Sequence, residues 1–471
     1  MPDPLKPLLS PEVWELLNSL PEYSRRRADE MNITLRRQGW PADTVAAVLT
    51  QLRLRARAKS KFGEFAQRML FTESGLQQST RLPVAVRHAG RFRAARVDHV
   101  VDLGCGLGAD SLAFASAGLG VTAVEADETT AAAAYLNLRP FPEAEVVHGT
   151  AETWADEHAD LLTAHVGQHP GVESPESAAP TAQSPEAIGI WLDPARRNER
   201  SRIWDPEEFS PPLSFVTDLA ATGVPLGVKL GPGIPHELIP PDCEAEWTSV
   251  NGELVEVTLW FNALTRRDAR GSLLRRCATV LTTSGNDTSG HDDAPPQSHP
   301  ASQPTAAEIT STADFGSGVE LDPAGPQGLA GVLWEPDPAV IRAGLVAELC
   351  EQLGGRLLDE HIAYFSTGTP LGSSREPQAA PTPLARGYRV IEVMDFSAKR
   401  LRRWCAEQGI TSLEIKKRGV DLVPEQLREQ ILPKKKARGP AKHATLVITR
   451  LGDTRLAAVA EPLGRAGDAQ S

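Results

Sequence analysis

Two short stretches of this 471-residue chain carry residue types that can do chemistry. In Val101–Ala109, "VDLGCGLGA", an apolar run reaches Asp102 and then breaks into Gly104, Gly106 and Gly108. Glycines at that spacing let the backbone approach a bound molecule where a helix begins and free amides face outward. Asp102, two residues before the first glycine, can accept from an ammonium and would repel a pyrophosphate. That favours a nucleoside cofactor with an amino-acid tail, although Gly104 to Ala109 also satisfies a loose G-x-G-x-x-A dinucleotide pattern. Glu125 closes the next apolar run, where an acid can bind the ribose hydroxyls of S-adenosylmethionine or NAD alike. Cofactor contacts are expected from Asp102, Gly104, Cys105, Gly106 and Glu125.

The second stretch is "WLDPARRNERSR", Trp191–Arg202. An apolar pair runs into Asp193-Pro194, and four arginines follow at once. Arg196, Arg197, Arg200 and Arg202 can hold substrate phosphates. They can equally pair with Glu199, Asp205, Glu207 and Glu208 in a salt-bridged loop. Lys229, at the end of a later apolar run, either lines the same pocket or caps the sheet. Toward the C-terminus, Lys416, Lys417 and Arg418 end a strand, and Lys434, Lys435, Lys436 and Arg438 cluster in a loop. Such clusters suit a phosphate backbone, or simply water.

The elements that must position these groups follow from periodicity. Residues 1–97 read as a helical N-terminal region, with "SPEVWELLNSL" and "PADTVAAVLTQLRLRARAKSKF" as its clearest helices. From 98, strands alternate with helices: "VDHVVDL", "GVTAVEAD", "EAEVVHG", "AIGIWLDP" and "VPLGVKLGP". That alternation predicts a parallel sheet covered on both faces, spanning 98–281 with a surface insert at 168–187. "EAEWTSVNGELVEVTLWF" predicts a hairpin turning at Asn251-Gly252 and adding antiparallel edge strands. Residues 282–322 are rich in Ser, Thr, Pro, Ala and Gly and read as a disordered linker. A compact α+β domain of ferredoxin-like type is expected over 323–471, with an insert at 368–385.

The totals narrow the class. A chain this long implies two to four domains. Its 41% hydrophobic and 23% charged content is that of a globular protein, and no apolar run is long enough to span a bilayer. The first residues lack the pattern of a signal peptide, and five scattered cysteines form neither a disulfide framework nor a metal-ligand spacing. A reduced, cytoplasmic protein without membrane or metal partners is expected. Net charge is −12, yet residues 386–471 hold 18 Lys+Arg against 10 Asp+Glu, a balance of +8. A basic module on an acidic body fits a nucleic-acid partner.

A resemblance gathers these features. "VVDLGCGLGADSLAFASAGLGVTAVEAD" resembles the first two motifs of class I S-adenosylmethionine-dependent methyltransferases. With "WLDPARR", the chain is similar to the group of these enzymes that carries a C-terminal THUMP-like domain. "WEPDPAVIRAGLVAEL", "LDEHIAYFST" and "SLEIKKRGVDLVPEQLR" resemble that group's C-terminal half, as residues 71–92 resemble the segment before its catalytic domain. The resemblance implies a Rossmann-like sheet, S-adenosyl-L-methionine as cofactor, and structured RNA as partner of the basic domain, through Lys434, Lys435 and Lys436. It puts the cofactor's adenine near Thr150 and Ala151, where the family usually keeps an acid. More loosely, the central domain resembles RNA-cap guanine-N2 methyltransferases, whose Asp/Asn-Pro-Pro-aromatic motif accepts from an exocyclic base amine. Carried over, Asp193 and the carbonyl of Pro194 become those acceptors, and catalysis rests on positioning. Ala195 and Arg196 depart from that motif, so stacking falls to Trp204 or to an arginine. The implied function is methyl transfer to a base of transfer or ribosomal RNA, with Arg196 and Arg197 on substrate. The alternatives are methyl transfer to a protein or small molecule, and RNA binding without turnover.

Overall fold

The computed structural model describes residues 5–163, 187–195, 205–283, 304–368, 381–433 and 442–464. Helices begin where the chain supplies their caps. The Ser10 hydroxyl accepts from the Val13 amide at 3.4 Å, and Pro11 takes the first turn, where no amide is needed. That helix, α1 (Pro11–Ser19), leads to α2 (Ala28–Arg37), α3 (Ala42–Phe62), α4 (Glu73–Gln78) and α5 (Leu82–Ala94). In α3 the buried Val45, Val48 and Leu52 recur every three or four residues and so share one face.

Five parallel strands follow: β1 (His99–Leu103), β2 (Gly120–Glu125), β3 (Ala144–His148), β4 (Ile188–Leu192) and β5 (Leu226–Leu230). They lie in the order β3-β2-β1-β4-β5. α6 (Ala109–Ser116) and α7 (Glu128–Leu138) make the first crossovers. β1, β4 and β5 are buried almost end to end, as strands covered on both faces must be. The order reverses between β1 and β4. In open α/β sheets that switch point is where ligands bind, at the carboxyl ends of the strands.

The N-terminal helices and this sheet share one core. Leu17, Leu35, Val48, Phe62 and Phe92 belong to the same buried cluster as Val100, Val121, Trp191 and Trp260. The rings of Phe92 and Phe114 meet edge-on at 5.3 Å, and Trp191 and Trp260 lie 5.8 Å apart. Gly227 makes room for both tryptophans. A Cβ there would stand 2.7 Å from the Trp260 ring and 2.9 Å from that of Trp191. Residues 1–97 therefore do not stand apart as a region; they complete a unit of Met1–Gly231, Leu238–Cys243 and Thr258–Arg266.

A second unit comprises Pro232–Glu237, Glu244–Val257 and Arg267–Ser471. β6 (Glu244–Val250) and β7 (Glu253–Phe261) are joined at Asn251-Gly252, both with positive φ (52° and 83°), as a two-residue hairpin turn requires. The expected edge position does not hold for β6. β8 (Arg276–Thr282) pairs with it in parallel, and β9 (Thr305–Ser311) adds antiparallel to β8. β9 corrects the reading of 282–322 as a linker. Its backbone bonds to β8 order a segment in which only Ile309 is buried, while 284–303 fall outside the described residues. Most of the two expected inserts also falls outside them.

The remaining strands form one mixed sheet: β10 (Val332–Pro336), β11 (Arg356–Leu357), β12 (Phe365–Thr367), β13 (Ala385–Asp395), β14 (Ile410–Arg418), β15 (Lys442–Leu451) and β16 (Thr454–Pro462). Their order is β11-β12-β10-β13-β16-β15-β14, with β14 and β15 parallel. Helices Ala398–Gln408 and Pro424–Ile431 bury Leu401, Cys405, Leu427 and Ile431 in a cluster with Leu446 and Ile448 of β15. Among the described residues no helix is long and apolar enough to cross a membrane.

Candidate functional site

The site grows from the carboxyl edge of the first unit's sheet. After β1 the chain turns through Gly104 (φ 89°), Gly106 (57°) and Gly108 (80°) before α6 starts. Only glycine adopts those angles without strain. The amides of Gly104 and Cys105 both donate to the Val124 carbonyl, at 2.9 and 3.0 Å, which clamps the turn against β2. Apart from Gly106 and its two chain neighbours, no atom of the described residues lies within 4 Å of where a Cβ of Gly106 would stand.

Glu125 reaches into the same turn. Its carboxylate accepts from the amides of Gly106 and Asp127, each at 2.9 Å. Burial nonetheless pushes its carboxyl above the usual range, with those amide bonds acting the other way. The Gly149 amide donates to the Glu125 carbonyl at 3.0 Å, bringing the end of β3 alongside. There the exposed Thr150 caps helix Ala151–Glu157 through the Thr153 amide at 3.1 Å, and Ala151 is buried. Cys105 is buried, and burial together with the charges of Asp102 and Glu125 holds its thiol protonated.

Asp102 closes β1 at 1% exposure. The Ser111 hydroxyl donates to its Oδ2, while Oδ1 is buried without a hydrogen-bond partner among the described residues. Burial, and then the charge of Asp110, push its carboxyl up to about 8. A carboxyl in that setting is an unfilled acceptor. A cation delivered there would be desolvated and well matched.

Asp193 closes β4 one strand away. Its amide donates to the Leu103 carbonyl at 3.3 Å, and its own carbonyl lies 3.2 Å from where a Cβ of Gly104 would stand. The Asp193 side chain is 28% exposed and ion-pairs through Oδ2 with the buried Lys229 at the end of β5. Pro194 is buried beside it, and Ala195 exchanges backbone bonds with Ser210 at 2.8 and 3.2 Å. Arg196, Arg197, Arg200, Arg202 and Trp204, like Lys434, Lys435 and Lys436, lie outside the described residues.

Behind Asp193 stands a network that sequence reasoning did not find. Lys229 Nζ donates to Thr80 Oγ1 at 2.8 Å, and Thr80 donates in turn to Asp110 Oδ2 at 2.6 Å. His88 Nδ1 lies 2.8 Å from Asp110 Oδ1. Burial alone would raise the Asp110 carboxyl, but His88, Lys229 and Thr80 together hold it below its ordinary value. The His88 ring rests on Trp191 with centroids 4.2 Å apart. Thr80 and His88 come from the α4–α5 segment, Asp110 from α6 and Lys229 from β5. Only Lys229 and the 71–92 segment gave any sequence signal, and neither pointed to the other.

Comparison with known proteins places the chain among relatives. Residues 385–462 match a family model described as THUMP domain-like, and residues 2–58 match a domain of unknown function (DUF8688). Proteins from two strains of Mycobacterium tuberculosis, CDC 1551 / Oshkosh and H37Rv, are each 31% identical over 407 residues. The matches cover 85% of this chain and 91% of each relative, and both relatives are described as uncharacterized S-adenosylmethionine-dependent methyltransferases. Among solved structures, a candidate methyltransferase from Porphyromonas gingivalis W83 aligns with TM-score 0.59 at 18% identity. It covers 94% of this chain and 100% of its own, which is a likeness of fold.

Proposed function

Because the chain belongs to the S-adenosylmethionine-dependent methyltransferase family of its mycobacterial relatives, we propose that it methylates a base of transfer or ribosomal RNA. The cofactor test rests on two features of the chain: the unpartnered Asp102 Oδ1 and the open face of Gly106. Both fit an amino-acid tail with a free ammonium. In this reading Asp102 holds that ammonium, Glu125 accepts from ribose hydroxyls, and Thr150 and Ala151 flank the adenine. Glu125 keeps a free lone pair on each oxygen beside the two amides it already accepts. When bound, S-adenosylmethionine supplies an electrophilic methyl group on a sulfonium.

The remaining work belongs to the chain. Asp193 and the Pro194 carbonyl accept from an exocyclic amine of the base and aim its lone pair. Lys229 ion-pairs with one carboxylate oxygen of Asp193 and so orients the carboxylate toward the substrate in this reading. Catalysis of this kind is positioning, which can lower a barrier by about 7–11 kcal/mol. The observation that carries the reading is the pairing of Asp193-Pro194 with the Gly104 turn at the switch point. The THUMP-like match adds support for RNA as substrate. Nucleoside profiles of RNA from cells with and without the gene test it by mass spectrometry. One methylated nucleoside should disappear from one RNA class, and an unchanged profile in every class rejects RNA as substrate.

A further inference from the structure

Charge along the chain is more lopsided than its total. Residues 1–97 hold 17 Lys+Arg against 9 Asp+Glu, a balance of +8. Residues 386–471 match that balance, which leaves −28 on residues 98–385. The helical region is thus as basic as the C-terminal module, and the site described above uses little of that charge.

The arginines concentrate around α2. Arg25, Arg26 and Arg27 form a single 3-10 turn leading into it, and Arg36 and Arg37 end it. All five are exposed. The helix dipole welcomes cations at its C-terminal end but opposes guanidiniums at its start, so the dipole gives no reason for Arg25 and Arg27. Arg25, Arg27, Arg36 and Arg37 make no ion pair with any described residue. Arg53 and Arg57 of α3, by contrast, share Glu73 at 2.6 Å each. At the C-terminal end, Asn32, Ile33, Arg36, Arg37, Gly39 and Trp40 line a shallow cleft of about 520 Å³. Ile33 is 52% exposed there, and Trp40 is half-buried.

We propose that this face of α2 binds RNA, holding backbone phosphates with Arg25, Arg27, Arg36 and Arg37 and an unstacked base in the Trp40 cleft. Free guanidiniums supply the phosphate contacts, and a half-buried tryptophan lining the same cleft as an asparagine suits a splayed-out nucleotide. An acidic protein surface would use the charge but not the cleft. The inference rests on the RNA reading of the function and gives the protein a second RNA contact, remote in sequence from the THUMP-like module.

Binding of bulk transfer RNA and of poly(U) to the full chain tests it, with salt varied from about 50 to about 200 mM. In the R25A/R27A/R36A/R37A variant the dissociation constant should rise at least about tenfold, and the slope of log affinity against log salt should fall by about 2–3. Unchanged S-adenosylmethionine binding reports an intact fold, and the milder R36Q/R37Q pair should show about half the slope change. If the unaltered protein binds RNA and the variants match it in affinity and slope, this face is overturned and the RNA function stands. If the unaltered protein binds neither of these nor ribosomal RNA assayed in the same way, both fall together.

Discussion

Asp102 and Asp193 end neighbouring parallel strands, yet their surroundings have almost nothing in common. Asp102 is sealed from water, holds one oxygen on Ser111 and leaves the other unpartnered. Asp193 is partly open to solvent and paired with Lys229 from inside the fold. One carboxyl lacks a cation and waits, largely protonated, for one to be delivered. The other already has its cation, in Lys229. Position on the sheet edge is shared, so the difference lies in which charges the neighbouring elements supply. In the proposed function the same residue type would thereby serve two ends of one transfer.

The strongest way to break that contrast is Asp193→Ala. Methyl transfer should fall by about 10²–10⁴-fold while equilibrium binding of S-adenosylmethionine stays within about twofold. Equal loss of both would put Asp193 on the cofactor and merge the two roles. Lys229→Met comes next. It leaves Asp193 and the buried Asp110 short of a cation, and removing one partner of such a pair destabilises by about 3 kcal/mol. Urea unfolding would measure it, and a loss under about 1 kcal/mol would make the pair an ordinary solvated contact.

The third test separates the two carboxyls by pH. Folded, Asp102 titrates at about 8 instead of the ordinary 3.8. Between those values the unfolded chain has lost a proton that the folded chain keeps, so this group lowers stability as pH rises from 3.8 to 8 and adds nothing above. Asp102→Asn should flatten that slope in the ligand-free protein and weaken S-adenosylmethionine binding by about tenfold. In the unaltered protein, cofactor binding should release a proton below pH 8, visible as a buffer-dependent heat in calorimetry. A heat independent of buffer would mean that Asp102 is already ionised.

What could be read from the sequence was local. The Gly104–Gly108 turn, the strand ends at Asp102, Glu125 and Asp193, and the helix cap at Ser10 depend on residues a few positions apart. The Lys229–Thr80–Asp110–His88 network depends on three segments packed together, with Thr80 and Lys229 149 positions apart. No periodicity encodes that meeting. β9 escaped for another reason. "TAAEITS" offers one large apolar residue, too little for a pattern, and its order comes from backbone bonds to β8 that any sequence can make. Residues 1–97 read correctly as helical, but which partner their apolar faces pack against gave no sign in the helices' own pattern.

That burial decides how far the protein can be simplified. Thr80 and His88, both ahead of the first strand, are the second and fourth groups of the chain that steadies Asp193. A shortened polypeptide starting at residue 98 would keep every sequence motif of a methyltransferase and lose the groups that hold its acid in place. It would also bare the Trp191 ring on which His88 rests. With Asp193 in its proposed role, the smallest catalytic piece of this protein has to include α4 and α5, whatever a motif search would draw as its boundary.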